Sequence, residues 1–235
     1  MGKSAFTYAP QLACWQQRLA PVRLGATLSL PTIVLASASP ARKLLLENSG
    51  INPEIQISNL DEDAIAKTNN WQTPQEIALG LAIAKANEVA SAHSNTNTLI
   101  IGCDSVMEFD GEPHGKPQHK DAALERLKVM SGGSGHLHTG HCVIWINGNS
   151  QQEVSALTST EVVFHEMTEA EIHAYVNTGE PLNVAGSFTL DSLGSPFIKE
   201  IHGDPSNVIG LSLPTLRLLL AKLGLGWELV LKNHA

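Results

Sequence analysis

The stretch Gly102 to Pro117, GCDSVMEFDGEPHGKP, brings a carboxylate and an ammonium group together within a short span of chain. Asp104 comes where the apolar run Thr98–Gly102 gives out, and a carboxylate leaving a buried strand faces the crevice in which open α/β sheets bind ligands. Val106–Phe109 resumes an extended pattern, and Asp110-Gly111 is a strong hairpin-turn pair. Gly115-Lys116-Pro117 then makes a loop that supplies a cation. A carboxylate can take a proton from an attacking nucleophile, and a nearby cation can hold the negative charge that develops. The same residues are compatible with Asp104 capping a turn and Lys116 lying in solvent. This stretch alone leaves both readings open.

A second cluster of chemistry follows the first strand. Thr32–Ala36 is an apolar run of buried-strand character, and it leads into SASPARK, Ser37 to Lys43. Ser39 suits a helix N-cap, Pro40 the first helical position, and Gly50 the residue that ends the helix. Arg42 and Lys43 then sit in the first turn, where the helix dipole disfavours cations. Free N–H groups, the hydroxyls of Ser37 and Ser39 and these cations would together hold an anion, most simply a phosphate. The alternative is an exposed first turn whose cations reach water. The pattern is not a Walker loop, whose Gly-x-x-x-x-Gly-Lys-Ser/Thr motif is absent.

Further along, Asn59–Asp63 is an acidic stretch in which Glu62, with Asp61 or Asp63, could ligate a hard divalent cation. It also reads as a solvated turn. Thr73-Pro-Gln-Glu76 is a capping box with proline at the first helical position, so a helix is expected from Pro74 to about Ala92. On that helix Ile77, Leu81, Lys85 and Val89 share one arc, so Lys85 interrupts an apolar face. Its ammonium either snorkels to water or enters a cleft to meet anionic oxygens.

The remaining elements read as scaffold. A helix is expected from Asp121 to about Met130, ended by the Ser131–Gly135 turn. His136 and His138 would share one face of a strand, with Thr139-Gly140 as a turn before His141; a histidine metal site here is the minority reading. His141–Ile146 and Thr158–Phe164 read as strands, and Thr168 caps a helix to about Asn177. Leu182 to Gly210 reads as loops over a site, and a final helix spans Thr215 to Leu223 after Pro214.

Composition sets the outer limits. The 235 residues are 43% hydrophobic and 16% charged, which is the balance of a folded domain. A net charge of −8 excludes a generic nucleic-acid binder without excluding a nucleotide substrate. The 3 cysteines, Cys14, Cys103 and Cys142, form neither a disulfide framework nor a metal motif, so a cytoplasmic setting is expected. No apolar run approaches the ~18 residues of a membrane span. Residues 1–30 are expected to be an N-terminal extension, with a short helix at Gln11–Leu19, and 31–235 a single catalytic domain.

Taken together, LASASPAR (Leu35–Arg42), Leu60-Asp-Glu62, Leu81-Ala-Ile-Ala-Lys85, Gly102-Cys-Asp104-Ser105, Gly115-Lys116-Pro117, Thr139-Gly140, Gly179-Glu-Pro181 and GDPSNVIGL (Gly203–Leu211) resemble the Maf family of nucleoside triphosphate pyrophosphatases. The resemblance runs from about Thr32 to the last helix. It implies an α/β fold like that of inosine triphosphate pyrophosphatase, an elongated mixed sheet flanked by helices with two lobes around a deep nucleotide cleft. It also implies hydrolysis of a nucleoside triphosphate, non-standard ones included, to the monophosphate and pyrophosphate with a divalent cation, Mg2+ or Mn2+. Carried over by position, Asp104 would accept the proton of the attacking water. Ser37, Ser39, Arg42, Lys85 and Lys116 would contact phosphates, and Glu62 with Asp104 would hold the metal. A homodimer is also implied; the charge and the lack of a long apolar run separately lead to the expectation of neither nucleic acid nor membrane as partner.

Three positions depart from the commonest family pattern. Ala41 stands where many members carry an arginine, Ser105 replaces a threonine, and Leu190-Asp191-Ser192 replaces Ile-Gln-Gly. In the family these positions bear on base choice. Ionised Asp191 only accepts hydrogen bonds, so it favours a base edge that donates them. A nucleotide-binding regulator of cell division and septum formation, processes to which the family has been linked, is the alternative function.

Overall fold

The computed structural model describes residues 31–117 and 119–228. The expected helix at Gln11–Leu19 lies outside them. A mixed sheet of seven strands runs in the order β2-β1-β3-β5-β6-β7, with β4 paired to β3. The strands are β1 (Thr32–Leu35), β2 (Glu54–Ile55), β3 (Asn97–Phe109), β4 (Glu112–His114), β5 (Ser134–Asn147), β6 (Ser150–Phe164) and β7 (Ile198–His202). β1 is parallel to β2 and β3, and the other pairs are antiparallel. The helices are α1 (Pro40–Asn48), α2 (Glu62–Thr68), α3 (Pro74–Ala90), α4 (Lys120–Met130), α5 (Glu169–Asn177), α6 (Pro205–Ile209) and α7 (Leu213–Lys222).

The expected helix starts are present with their caps. Ser39 Oγ accepts from Arg42 N, and Thr73 and Thr168 each form a complete capping box. At the tip of the β3–β4 hairpin, Asp110 and Gly111 take φ of 52° and 80°, the left-handed pair such a turn requires.

Four local expectations are corrected. Asp104 does not leave a strand. It lies within the 13-residue β3, which continues through Val106–Phe109 without a break. Thr139-Gly140 is no turn either, since β5 runs through it, and Gly140 serves a different purpose. A Cβ there would run into the carbonyl of Ala78, and one on Gly102 into that of Ala82, so these glycines let α3 lie directly on the sheet. The acidic stretch Asn59–Asp63 is a helix start, with Asp61 Oδ1 accepting from Ala64 N at 2.9 Å. Finally, Leu182–Gly210 is not all loop: it holds the end of one 3-10 turn, two further 3-10 turns, β7 and α6.

Buried apolar clusters lie at both ends of the long strands. At one end Leu35, Leu46, Leu99, Ile101 and Val143 pack with Leu216 and Leu219 of α7, while Val34, Ile100 and Ile144 pack with Ala86 and Val89 of α3 on the opposite face. At the other end Met107, Phe109, Leu137, Val162 and Phe164 form a separate cluster with Met130 and Phe188. Each fully buried large side chain contributes about 1.5–3 kcal/mol. The candidate chemistry lies between the two ends.

Candidate functional site

The site begins as a gap in the sheet. On one edge of β3, pairing with β1 reaches Ile101, where Ala36 N donates to Ile101 O at 2.9 Å. Pairing with β4 resumes only at Met107. The intervening residues have no strand neighbour on that side, and a buried backbone carbonyl left there needs a donor. Arg42 supplies it, with Nη1 donating to Cys103 O at 3.0 Å. The same guanidinium donates to Ser37 Oγ at 3.0 Å, to Ser105 Oγ at 2.9 Å and, through Nε, to Gly210 O at 2.7 Å. Arg42 is therefore tied to protein acceptors on several sides, which the sequence did not anticipate.

The face of β3 that meets α3 carries the charged centre. Lys85 Nζ lies 2.6 Å from Asp104 Oδ1 and 2.8 Å from Glu62 Oε1. Its side chain is only 9% exposed, which excludes snorkelling. The capped start of α2 presents Glu62 to it. Burial raises the Asp104 carboxyl above the ordinary carboxylate range, while Lys85 and then Arg42 oppose the rise. The result is a carboxylate more basic than one in water yet still paired with a cation.

Among the described residues, no three His, Cys, Asp or Glu side chains converge as a closed protein cage for a metal would need. Glu62 and Asp104 do share one partner, so they lie within reach of a common ion. That donor set fits magnesium or manganese, which take one or two carboxylates and complete their shell with water and phosphate oxygens. It does not fit a closed four-ligand zinc site.

On the opposite face Ser105 Oγ lies 3.0 Å from Thr139 Oγ1, which donates to Asn207 O at 3.2 Å. Ser37 is buried and Ser39 caps α1, so the two hydroxyls flank the helix start as expected. Ala41 is half-buried in the first turn of α1. Lys116 occupies the exposed loop after β4 and makes no ion pair among the described residues, and Asp191 is likewise exposed. The structure thus gathers Ser37, Arg42, Ser105, Asp104, Lys85 and Glu62 about the β3 gap, while Lys116 and Asp191 remain on loops.

The histidines take separate paths. His138 Nε2 meets Glu108 Oε2 at 2.7 Å and His138 Nδ1 meets Ser159 Oγ at 2.7 Å, while Gln75 Nε2 donates to the same Glu108 oxygen at 2.9 Å. His141 faces the other side, where its Nε2 accepts from Ser212 N at 2.8 Å. Sequence reading missed this arrangement and the roles of Asn207 and Gly210. Reading β5 as one unbroken strand would have separated His138 from His141 onto opposite faces.

The fold is a mixed α/β sheet with a capped basic helix start, a buried lysine and two carboxylates gathered at one break in its edge. Residues 32–223 match the family described as Maf-like protein, and the chain belongs to that family. Relatives from Streptomyces coelicolor and Streptomyces avermitilis, both named nucleoside triphosphate pyrophosphatase, are 53% and 50% identical over 194 residues, covering 83% of this chain and 91% of each relative. A relative of the same name from Thermosynechococcus vestitus is 49% identical over 192 residues, covering 81% of this chain and 93% of its own.

Proposed function

We propose that the chain hydrolyses a nucleoside triphosphate to the nucleoside monophosphate and pyrophosphate. The observation that carries this reading is the Asp104–Lys85–Glu62 cluster at the β3 gap, beside the α1 start. Asp104, made more basic by burial, takes a proton from water as the water oxygen bonds to the α-phosphorus and the bond to the bridging oxygen of pyrophosphate breaks. A correctly placed base is worth about 10²–10⁴-fold. Lys85 keeps Asp104 ionised until that moment and adds positive charge beside the departing pyrophosphate. Ser37, Ser39, the backbone N–H of Ala41, the charge of Arg42 and Lys116 hold the outer phosphates. Magnesium or manganese, held by Glu62 and Asp104, would neutralise phosphate charge and polarise the phosphoryl group when bound.

The test is product analysis with nucleoside triphosphates and magnesium or manganese, with and without a chelator, in 18O-labelled water. The expected products are equal amounts of monophosphate and pyrophosphate, with the label in the monophosphate. Asp104→Asn should abolish release while triphosphate binding persists. Diphosphate with orthophosphate as products, or an active Asp104→Asn variant, would overturn the reading.

A further inference from the structure

The guanidinium of Arg42 carries five N–H bonds. Nε–H goes to Gly210 O, both Nη1 hydrogens go to Ser37 Oγ and Cys103 O, and one Nη2 hydrogen goes to Ser105 Oγ. Only one Nη2 hydrogen is left for a ligand, so the side chain cannot fork onto a phosphate. Its value lies in where its charge is held. We infer that α6 and its C-terminal Gly210, far from α1 in sequence, are the positioning device for Arg42; the inference rests on the proposed function.

Two arms leave the same turn. Gly210 N donates to Asn207 O at 2.9 Å, and Gly210 O directly receives Arg42 Nε at 2.7 Å. The second arm runs from Asn207 O through Thr139 Oγ1 and Ser105 Oγ to Arg42 Nη2. Asn207 is the anchor. It is fully buried, and its Nδ2 donates to Leu137 O at 3.0 Å and Thr160 Oγ1 at 3.1 Å, so α6 is fixed to β5 and β6. Gly210 must be glycine twice over. Its φ is +123°, and a Cβ would lie 3.2 Å from Arg42 Nε and 3.5 Å from Arg42 Cγ. A methyl there presses on the Arg42 side chain, which must give by a few tenths of an ångström, without altering any charge.

The experiment is a double-mutant cycle between Gly210→Ala and Arg42→Lys, read as kcat/KM for triphosphate hydrolysis and, separately, as calorimetric affinity for inorganic tripolyphosphate. A small misplacement of a charged group costs on the order of 10–100-fold in rate. Gly210→Ala should cost that much in the parent and less than about twofold once Arg42 is lysine, because the effect passes through the guanidinium. Equal losses in both backgrounds would overturn the inference, since a general structural injury does not depend on Arg42. If Gly210→Ala does not fold, Thr139→Val, which cuts the second arm while keeping its shape, goes through the same cycle with the same criterion. A parent that binds tripolyphosphate without turning over any triphosphate would sink the proposed function, while the affinity cycle would still decide the inference. A parent that binds no tripolyphosphate would overturn the inference itself.

Discussion

Lys85→Met removes the cation at the centre of the site while roughly keeping its volume. At 2.6 Å, with an effective dielectric of about 20, the Lys85–Asp104 attraction is about 6 kcal/mol. Releasing the lysine from its own desolvation offsets part of that, and breaking a buried pair on one side costs about 3–5 kcal/mol net. The Glu62 contact adds little, because that side chain is 51% exposed and screened by water. The cost also depends on pH. Asp104 is already raised by burial, and Lys85 is the strongest influence holding it down. Without Lys85 its folded pKa climbs further. A carboxyl raised above its unfolded value stabilises the fold fully at low pH and loses that contribution as the pH rises through the folded pKa. The gap between parent and variant must therefore widen toward alkaline pH, by at most about 1.4 kcal/mol per unit. Urea denaturation of both chains between about pH 5 and about pH 8 measures it. A gap that stays constant with pH, or a variant as stable as the parent at the alkaline end, would refute the claim that Lys85 holds Asp104 ionised.

Two other outcomes follow from the same kind of accounting. Burial, and next the charge of Arg42, push His141 down to about 4 from 6.5, so it is neutral in the fold and takes a proton on unfolding. Its contribution is present above the unfolded value and is lost as the pH falls toward the folded one, about 3 kcal/mol in all; His141→Gln, which keeps an acceptor for Ser212 N, should flatten that part of the stability profile, and parallel profiles would contradict it. Asp191, exposed on its loop, should favour bases that present an amino group, by about tenfold over Asp191→Gln; a turnover panel in which thymidine triphosphate came out best would reverse that assignment.

Local chemistry made much of the fold legible. Ser39-Pro40, Thr73-Pro74 with Glu76, Thr168 with Glu171, and Asp110-Gly111 carry their own geometry, and each stands where it was expected. Asp104 and Thr139-Gly140 were misplaced for one shared reason. A polar or glycine residue inside a strand looks like its end when only neighbours in sequence are considered, although here α3 on one face and the β1–β4 gap on the edge require those residues. The burial of Lys85 was one of two readings of a helical wheel, and the buried carboxylate of Asp104, 2.6 Å from its ammonium, decides between them. Asn207 and Gly210 could not be found this way, because their significance lies in contacts with Leu137, Thr160 and Arg42, all remote in the chain.

β3 passes Leu99 and Ile101 into a cluster at one end and Met107 and Phe109 into one at the other, and β5 does the same with Val143 and Leu137. β6 runs beside them, paired to β5 along its length. Among the described residues, long hydrogen-bonded strands thus join the two halves. A jaw-like approach of the halves would have to twist that paired backbone along its run. Admission of a bulky solute then falls to the surface segments at the rim, and turnover should respond more to their freedom than to any movement of the halves.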